Sequence, residues 1–376
     1  MAKSTFSPQY KRVADTVRTR IHLGDYALKS IPSERILAKE LGVNYMTVRR
    51  GLNILEKEKL LVRQPNGRVR VRRTRQEGKS LLNIAYLVPT IMSYDVEMWR
   101  LALETAVEKI GGSLRTILFV HWNDPLLLDA IEGFDGVFLR PEPEGIPEEV
   151  SARLRRPEHP VIVVDQNLSD LGIPSIQLFP PASVQRLLDH LNSVGRRKIA
   201  CLNVEPDHEP IKQRINQWRL WMIAHGFRAP LINEPVKPHA LAITSAYTVM
   251  KSVLEKGAPE FDGLFCTTMA AAMGAVRACL DAGIRPGHDL AICAANGEGI
   301  SAMLYPTMTS LEAPDPVPYI QYCLEWIAKG NSHWEGPLLL QPDQIPMYIG
   351  ESTVPRAEGI VPPPPKAARG AKRPSV

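Results

Sequence analysis

Several side chains near the start of the chain are of the types that bind nucleic acid. Within the segment PSERILAKELGVNYMTVRRGL, residues 32–52, four of them lie within six positions: Tyr45, Thr47, Arg49 and Arg50. Arginine, threonine and tyrosine donate hydrogen bonds to phosphate oxygens, and arginine also pairs with guanine in the major groove. The spacing therefore predicts a surface that contacts double-stranded DNA.

Two short helices joined by a turn are predicted to position these side chains. Ser33 can cap the first helix and Gly42 can end it. Asn44 can cap the second helix, in which apolar residues recur at helical spacing: Val48, Leu52 and Leu55. One face of the second helix then packs while the other stays free for DNA, which is the arrangement of a helix-turn-helix motif.

A β-hairpin is predicted directly after the two helices. The turn Pro65-Asn66-Gly67 precedes Val69 and Val71, which alternate with arginines at positions 68, 70 and 72. Successive residues of a strand point to opposite faces, so the valines can pack on the helices while the arginines point outward. A basic outer face suits DNA phosphates, and a hairpin in this place is the wing of a winged helix.

The charge of the chain is unevenly distributed. Residues 1–79 contain 19 Lys and Arg against 7 Asp and Glu, a net charge of +12. The whole chain carries +5, which leaves −7 for the remainder. A basic segment on an acidic one is the electrostatic pattern of a nucleic-acid-binding module attached to a unit that does not contact nucleic acid.

With the amphipathic helix before it, the stretch from Tyr10 to Val71 resembles the GntR family of winged-helix repressors. The resemblance rests on the PSER helix start, the TVR of the second helix and the glycine-containing wing. It implies that Arg35 contacts DNA backbone or bases. It also implies contacts by residues of the recognition helix and the wing tip: Asn44, Tyr45, Thr47, Arg49, Asn66 and Gly67. Arg50 and Arg68 join this set because they lie on the same free faces.

Two places depart from the family pattern. Asn44 and Tyr45 stand where the recognition helix often has a small hydroxyl residue and an arginine, and Arg68 replaces the second glycine of the wing. The resemblance therefore implies the mode of docking and leaves the operator sequence open.

Length and composition set the outer limits of the fold. At 376 residues with 44% hydrophobic residues, the chain leaves about 270 residues beyond a winged helix, enough for a two-lobed domain or two ordinary ones. It has no run of about 18 apolar residues, and the start MAKSTFSPQYKR has no apolar segment behind its charges. Five cysteines lie singly, without the paired spacing of a metal site. We expect a cytoplasmic, nucleoid-associated protein without a membrane span, a metal or a cofactor.

After a polar, basic stretch at 72–80, the pattern changes to apolar strands that alternate with amphipathic helices. The first four strands are LLNIAYLVP (81–89), SLRTILFV (113–120), GVFLRP (136–141) and PVIVVD (160–165). A similar series begins at Ser183. Alternation predicts parallel sheets, and two series predict two lobes with a cleft. The fold class is an N-terminal winged helix-turn-helix (α+β) followed by a two-lobed α/β domain with parallel sheets.

The predicted organisation has four parts: a winged-helix domain at 1–72, a linker at 73–80, an effector-binding and dimerisation domain at 81–353, and a tail at 354–376. The tail has four consecutive prolines and then basic residues without an apolar period, so it is expected to be disordered. An extended segment is expected at the prolines.

Residues directly after the predicted strands are candidates for ligand binding, because ligands of open parallel sheets bind beyond the carboxyl ends of the strands. They are mostly polar and come from both halves of the domain: Pro89, Thr90, Tyr94, Arg140, Asp165, Glu205, Thr267, Thr268 and Asn296. Such a set predicts a cleft for a polar solute.

Residues 81 to about 350 resemble the effector domain of the LacI/GalR regulators, which shares the periplasmic sugar-binding fold. The resemblance rests on FDGVFLRP, PVIVVDQNL, YPTMTSL and, above all, GLFCTTMAAAMGAVRACLDAGIRPGHDLAICAAN. It implies that Asp165 contacts the effector and that Arg214, four residues before Trp218, is the cleft arginine. Thr268 and Asn296 depart from the family, where asparagine and aspartate are usual.

The chemistry of these residues favours a polar effector. The Arg214 guanidinium can bind two hydroxyls or a carboxylate in a bidentate manner, and Asp165 accepts hydrogen bonds from hydroxyls. Asn296 in place of aspartate makes the pocket less negative and adds an N–H donor. This replacement favours an acidic or modified sugar over a simple neutral one.

The two resemblances together predict a transcription regulator that binds a double-stranded DNA operator as a homodimer and responds to a sugar or a sugar-derived small molecule. Repression relieved by ligand is the sign that the resemblance favours. Two alternatives stay open: an effector domain reduced to a dimerisation scaffold, or a GntR-headed regulator with a pyridoxal-phosphate-type body. The sequence contains no GxSxG, GxxxxGK[ST] or HExxH motif and no lysine loop after a strand, so we expect no enzyme activity.

Overall fold

The computed structural model describes most of the chain, in ten stretches: residues 8–22, 25–26, 31–64, 67–71, 82–90, 94–142, 145–156, 160–237, 240–330 and 334–355. Three predictions fall outside these residues: the linker at 73–80, the disordered tail from residue 356 onward, and Asn66 at the tip of the wing. We call residues 9–71 the head and residues 82–355 the body.

The head consists of three helices followed by a hairpin: α1 (Gln9–His22), α2 (Glu34–Leu41), α3 (Tyr45–Lys57), β1 (Leu61–Arg63) and β2 (Val69–Val71). The predicted caps are confirmed. Ser33 Oγ accepts a hydrogen bond from the Ile36 N–H at 3.4 Å. Asn44 Oδ1 accepts one from the Met46 N–H at 2.8 Å. Gly42 follows α2 in the left-handed region at φ 63°, which glycine adopts without steric cost.

The core of the head forms where α1 packs on α3. Val17, Leu52 and Leu55 are fully buried there. A Cβ on Gly51 would lie 2.9 Å from the Tyr10 carbonyl oxygen, so the two helices approach this closely only because position 51 is glycine. This packing fixes the direction of α3 and therefore of its exposed face.

The elements of the body follow in this order: β3 (Asn83–Pro89), α4 (Tyr94–Lys109), β4 (Ser113–Phe119), α5 (Pro125–Gly133), β5 (Gly136–Leu139), α6 (Glu148–Leu154), β6 (Val161–Val164), β7 (Ser175–Ile176), α7 (Val184–Ser193), β8 (Ile199–Asn203), α8 (Glu209–Ala224), β9 (Leu231–Asn233), α9 (Ala242–Leu254), β10 (Gly263–Cys266), α10 (Met269–Asp281), β11 (Ala291–Ala294), β12 (Thr309–Leu311), α11 (Val317–Lys329), β13 (Leu339–Leu340) and β14 (Met347–Tyr348). All five cysteines are buried free thiols, as their single spacing predicts. Within the described stretches, no helix has both the length and the apolar character needed to cross a membrane.

Two six-stranded sheets form the two lobes of the body. The strand order is β13-β7-β6-β5-β3-β4 in lobe 1 and β14-β12-β11-β10-β8-β9 in lobe 2. The predicted parallel sheets are confirmed, with one exception among the described pairs: β14 runs antiparallel to β12 at the edge of lobe 2. Apolar clusters lie on both faces of each sheet, so helices cover the strands on both sides.

The described chain passes between the lobes three times. It leaves lobe 1 after β7, returns after β12 to form α11 and β13, and ends in lobe 2 with β14. Helix α11 belongs to lobe 1 because Ile320, Leu324 and Ile327 are fully buried in the same cluster as Tyr86 of β3. The sequence predicts two consecutive halves and does not predict this return.

Candidate nucleic-acid interface and ligand cleft

Helix α3 has a buried face and an exposed face, as predicted. Three of its apolar residues are fully buried: Val48, Leu52 and Leu55. On the other side Arg49 and Arg50 are exposed, and the Tyr45 side chain is 38% exposed. Thr47 differs from the prediction, because its side chain is only half-exposed. The exposed face of α3 presents two guanidinium groups and a phenol to a binding partner.

Arg35 and Asn44 lie at the entrance to this face. Arg35 is exposed in the first turn of α2. The Asn44 side chain is also exposed, but its carbonyl oxygen is used in capping α3. A contact from Asn44 to DNA would therefore come from its amide N–H groups.

The hairpin pairs β1 with β2 antiparallel and is tied to the helices by an arginine. Arg63 forms ion pairs with Glu34 of α2 at 3.0 Å and with Glu56 of α3 at 2.9 Å. The predicted alternation holds in β2, where Val69 is buried and Arg70 is exposed. The ion pairs of Arg63 hold the hairpin against α2 and α3, and its exposed arginine side chains lie on the resulting surface.

Two further wing residues predicted to contact DNA lie at the start of β2. Gly67 and Arg68 are both exposed, and Gly67 has φ 78°. That backbone conformation is one that residues with a side chain rarely adopt, so Gly67 shapes the wing turn.

Two of the predicted ligand residues form a buried ion pair at the strand ends of lobe 1. Arg140 follows β5 and Asp165 follows β6. Arg140 Nε and Nη2 donate to Asp165 Oδ2 at 3.2 and 2.9 Å, and the two side chains are 12% and 22% exposed. Burial opposes the charge of Arg140, but Asp165 and Asp95 outweigh it and raise the pKa of the guanidinium. The guanidinium of Arg140 therefore keeps its positive charge despite its burial.

The strand ends of lobe 2 carry Arg214 and Thr268. Arg214 Nη1 of α8 donates to the Thr267 carbonyl oxygen at 2.7 Å, which holds the guanidinium at the end of β10. Thr268 caps α10 and donates through Oγ1 to Glu205 at 3.1 Å. Burial raises the pKa of Glu205, while this hydrogen bond lowers it. Thr268 therefore positions a carboxylate.

The amide of Asn296 is used inside the protein, which corrects one expectation. Asn296 is 2% exposed. Its Oδ1 accepts from the Met269 N–H at 3.3 Å, and its Nδ2 donates to Glu298 at 3.1 Å. The donor that the sequence analysis assigned to an acidic ligand is thus directed at a carboxylate of the protein.

One predicted residue, Thr90, does not join the cluster of charged side chains. Thr90 is exposed, and its Oγ1 donates to the Phe119 carbonyl oxygen at 2.9 Å, so it secures the end of β4. Tyr94 begins α4, and its side chain is outside the part that the structure describes.

Three titratable residues that the sequence pattern did not single out lie in the space between the lobes or close to it. Asp95 lies in the first turn of α4, Glu298 follows β11, and His208 precedes α8. They lie within three positions of candidates that were chosen because they follow predicted strands, namely Tyr94, Asn296 and Glu205. Their residue types alone do not indicate that they belong to a binding site. Glu298 has φ 52°, a conformation unusual for a residue with a side chain.

Burial and like charges shift the pKa values of these residues. Burial and the Asp165 carboxylate raise the pKa of Asp95 to about 6. Burial and the Asp95 carboxylate raise the pKa of Glu298 to about 7. Burial and the charge of Arg214 lower the pKa of His208 to about 4, so its imidazole is neutral at pH 7. The effect of Asp95 on Glu298 shows that groups of the two lobes face each other.

A cavity of about 550 Å³ opens between the lobes. It is lined by residues of both: Asp95, Met98, Trp99, Asp165, Leu178, Phe179, Glu298, Gly299, Glu312, Ala313 and Pro316. We call the space lined by these residues the cleft.

Two family models match separate parts of the chain. Residues 9–71 match the model of bacterial regulatory proteins of the gntR family, and residues 188–324 match the model of the periplasmic binding protein-like domain. The chain joins a gntR-family helix-turn-helix domain to a periplasmic-binding-protein-like domain. Both resemblances inferred from the sequence are therefore confirmed.

A curated relative matches part of the chain. It is the HTH-type transcriptional regulator GalR of Streptococcus thermophilus, which is 24% identical over 168 residues. The match covers 43% of this chain and 50% of the relative, so the chain spans half the length of that relative.

Solved structures resemble the body more completely. A LacI family transcriptional regulator from Enterococcus faecium with bound ribose matches with a TM-score of 0.60 at 19% identity, over 73% of this chain and 100% of that chain. The lac repressor dimer bound to operator and the anti-inducer ONPF matches with a TM-score of 0.60 at 16% identity, over 74% and 96%. At these identities the likeness establishes the two-lobed α/β fold.

Proposed function

We propose that this protein is a DNA-binding transcription regulator whose affinity for an operator depends on a small polar effector bound in the cleft. One observation carries the proposal: a gntR-type head that exposes Arg49 and Arg50 is joined to a two-lobed body with charged side chains from both lobes at the cleft. The head supplies sequence-specific contacts and the body supplies a binding site. Neither task requires a chemical reaction, so we propose that the protein is not an enzyme.

The head is proposed to bind with α3 in the major groove. Tyr45 and Arg49 lie one helical turn apart, so they face the same stretch of bases, and Arg50 lies beside them toward the backbone. The wing, with exposed Arg68 and Arg70, is proposed to contact phosphates next to the same groove.

The effector is proposed to be a sugar or a sugar derivative. Arg214 and the Arg140–Asp165 pair offer fixed donors and acceptors of the kind that hydroxyl groups need. A protein with the same fold is described with bound ribose, which supports the choice. Trp99 and Phe179 add apolar walls for a ring.

Closure of the lobes on the effector is proposed to change the placement of the heads. Three chain segments join the lobes, so a ligand that contacts both favours the closed arrangement. The effector can change the affinity for DNA only to the extent that it binds the open and closed arrangements with different free energies. By analogy with the regulators that the body resembles, we propose that the effector relieves repression.

We also propose that the protein acts as a homodimer. A two-fold symmetric operator requires two heads, and a structural relative is described as a dimer bound to operator. Strand β4 lies at the edge of the lobe 1 sheet, and two apolar residues at its end are exposed: Leu118 in the strand and Val120 directly after it, at 58% and 68%. An open edge with exposed apolar residues is a surface that a second copy can cover.

The proposal is tested by selecting bound duplexes from a random DNA pool with the full chain. We expect a two-fold symmetric sequence to be enriched. Its release by a sugar or sugar derivative, measured by fluorescence anisotropy, would support the regulatory role. Enrichment of no sequence would contradict it.

Arg214→Ala is expected to remove the response to effector while leaving DNA binding intact. Loss of a charged donor that is fixed beside the cleft, at the end of β10, should weaken effector binding about 10- to 100-fold. Calorimetry measures the affinity, and operator binding is measured in parallel. Arg219→Ala, an exposed arginine on the same helix, is the matched control. Unchanged effector affinity in Arg214→Ala would contradict the site assignment.

The double variant Leu118→Glu, Val120→Glu is expected to be monomeric. Two charges buried against two charges of the second copy would weaken the dimer at least about 100-fold. Light scattering after gel filtration reports the mass. Ile223→Glu, which changes a residue of α8 that is 76% exposed, is the control and should stay dimeric. A double variant with the dimer mass would exclude β4 as the interface.

A further inference from the structure

The wall of the cleft is acidic. Four carboxylates line it: Asp95, Asp165, Glu298 and Glu312. Among the described lining residues there is no lysine, arginine or histidine. Carboxylates from α4, β6 and two segments of lobe 2 therefore converge on one cavity without an equal number of cations in its wall.

The partners that the protein supplies leave this charge incompletely balanced. Arg140 pairs with Asp165, and Arg214 acts on the charges of Asp95 and Glu298 from beside the cavity. Glu312 accepts hydrogen bonds from the hydroxyls of two serines, and Glu298 accepts one from Asn296. The described residues give the Asp95 side chain no hydrogen-bond donor. Hydroxyl and amide donors satisfy an oxygen atom but do not neutralise a charge.

An independent sign of a missing group lies beside the cluster. The Tyr86 side chain is fully buried, and its hydroxyl has no hydrogen-bond partner. It interacts with the charges of Arg140, Asp165 and Asp95, so it faces the same groups. Arg140 Nη1 is buried and unpartnered as well. Buried polar groups are nearly always paired, so the fold leaves hydrogen-bonding capacity here for another molecule.

The remaining walls also suit a cation that is attached to a ring. Trp99 is 4% exposed and lines the cavity with Phe179 and Met98. Aromatic faces attract organic cations and pack against sugar rings. Acidic and aromatic walls in one cavity are the combination that recognises an amine in a small polar molecule.

We propose that the effector carries a protonated amine on a hydroxylated skeleton, as an amino sugar does, and that its ammonium group binds among Asp95, Glu298 and Glu312. The inference rests on the proposed function and narrows the class of effector. It reverses the expectation of an acidic sugar, because the Asn296 amide that motivated that expectation is held by Glu298. The hydroxyl groups of the ligand would face Tyr86 and the Arg140–Asp165 pair.

Binding of such a cation should tighten as the pH rises. The pKa of Asp95 is about 6 and that of Glu298 is about 7, so part of each is protonated at pH 6. The cation favours the ionised forms, so binding releases protons from these carboxyls at pH 5 and fewer at pH 7. The charged groups that act on these two carboxyls come from both lobes: Asp165, Arg140, Arg214 and Glu205.

The test compares sugars that carry a protonated amine, no charge or a carboxylate, with the full chain at pH 7, where the amine is still largely protonated. Glucosamine and galactosamine are the cationic probes, glucose and galactose the neutral ones, and glucuronate and galacturonate the anionic ones. We expect the amino sugars to raise Tm and to bind at least 10-fold more tightly than their neutral parents. We also expect their affinity to be lower at pH 5, where Asp95 and Glu298 are mostly protonated.

Glu298→Gln should reduce amino-sugar affinity at least 10-fold while it leaves the affinity for a neutral parent within about 2-fold. Glu260→Gln, an exposed glutamate far along the chain from the cleft residues, is the matched control. If circular dichroism shows that Glu298→Gln is not folded, Asp95→Asn makes the same comparison. Unchanged amino-sugar affinity in a folded variant would overturn the assignment.

Two results would overturn the inference as a whole. One is that a neutral sugar or a uronate raises Tm more than either amino sugar, which would leave the proposed regulator function standing. The other is that neither amino sugar raises Tm. Failure of the proposed function is seen separately, as the absence of an enriched DNA sequence in the selection experiment.

Discussion

Arg49→Ala is expected to weaken binding to the selected operator about 100-fold at physiological salt, a loss of about 2.7 kcal/mol. Arg49 is exposed on α3, one residue after buried Val48, so its removal should leave the packing of the head unchanged. A bidentate contact to a base and the charge that attracts the backbone would both be lost. Fluorescence anisotropy with the selected duplex and with a scrambled duplex measures the specific part.

The control for this variant removes the same charge from the body. Arg277→Ala changes an exposed arginine of α10, and its operator affinity should match that of the wild type. The Tm shift caused by effector should be the same in Arg49→Ala as in the wild type. If Arg49→Ala lost both operator binding and the effector response, the separation into a DNA-binding head and a ligand-binding body would be wrong.

Asp165→Ala is expected to have the largest effect on stability, a loss of about 3 kcal/mol of unfolding free energy and a Tm lower by about 8 °C. The substitution leaves the guanidinium of Arg140 largely buried and without its carboxylate partner. It also places alanine at φ 67°, where aspartate and asparagine are tolerated better. Thermal unfolding followed by circular dichroism measures the change.

Two further variants separate the charge from the backbone. Asp165→Asn keeps a hydrogen-bond acceptor and tolerates the same φ. Its loss of unfolding free energy should therefore be smaller, and it should measure the contribution of the ion pair alone. Asp170→Ala, at an exposed aspartate five residues later, should melt like the wild type. An Asp165→Ala variant with the Tm of the wild type would mean that the pair adds nothing to stability.

Local patterns were enough to predict the head. Caps at Ser33 and Asn44, the glycine after α2 and the helical spacing of Val48 and Leu52 all act within a few residues, so the sequence determines them directly. The valine-arginine alternation of the wing is likewise local. Only the partial burial of Thr47 depends on how α3 sits against its neighbours, and this differed from the prediction.

Residues of the cleft could be predicted from the sequence only where they directly follow a strand. Arg140 and Asp165 directly follow β5 and β6, so the strand-end rule found them. Asp95 and Glu298 were missed because their proximity arises from the approach of two lobes whose residues are about 200 positions apart in the chain. The amide of Asn296 was assigned to a ligand because the sequence does not show that Glu298 turns back toward it.

The short strands of the body were also beyond local patterns. β7 and β13 have two residues each, too few for an alternating pattern to be recognised. Their pairing in lobe 1 depends on α11 having first returned to that lobe. Such a return is set by burial of one face of α11 against β3, which is a tertiary effect.

The return of α11 and β13 to lobe 1 means that the two lobes are interleaved in the gene. Neither lobe is encoded by one continuous stretch, because residues 317–340 belong to lobe 1 and residues 347–348 again to lobe 2. A stop codon after β12 would therefore strip a buried helix from one lobe and an edge strand from the other. New effector specificities cannot arise by exchanging one lobe between related genes in a single recombination event, whereas the head, which is continuous, can be exchanged in one.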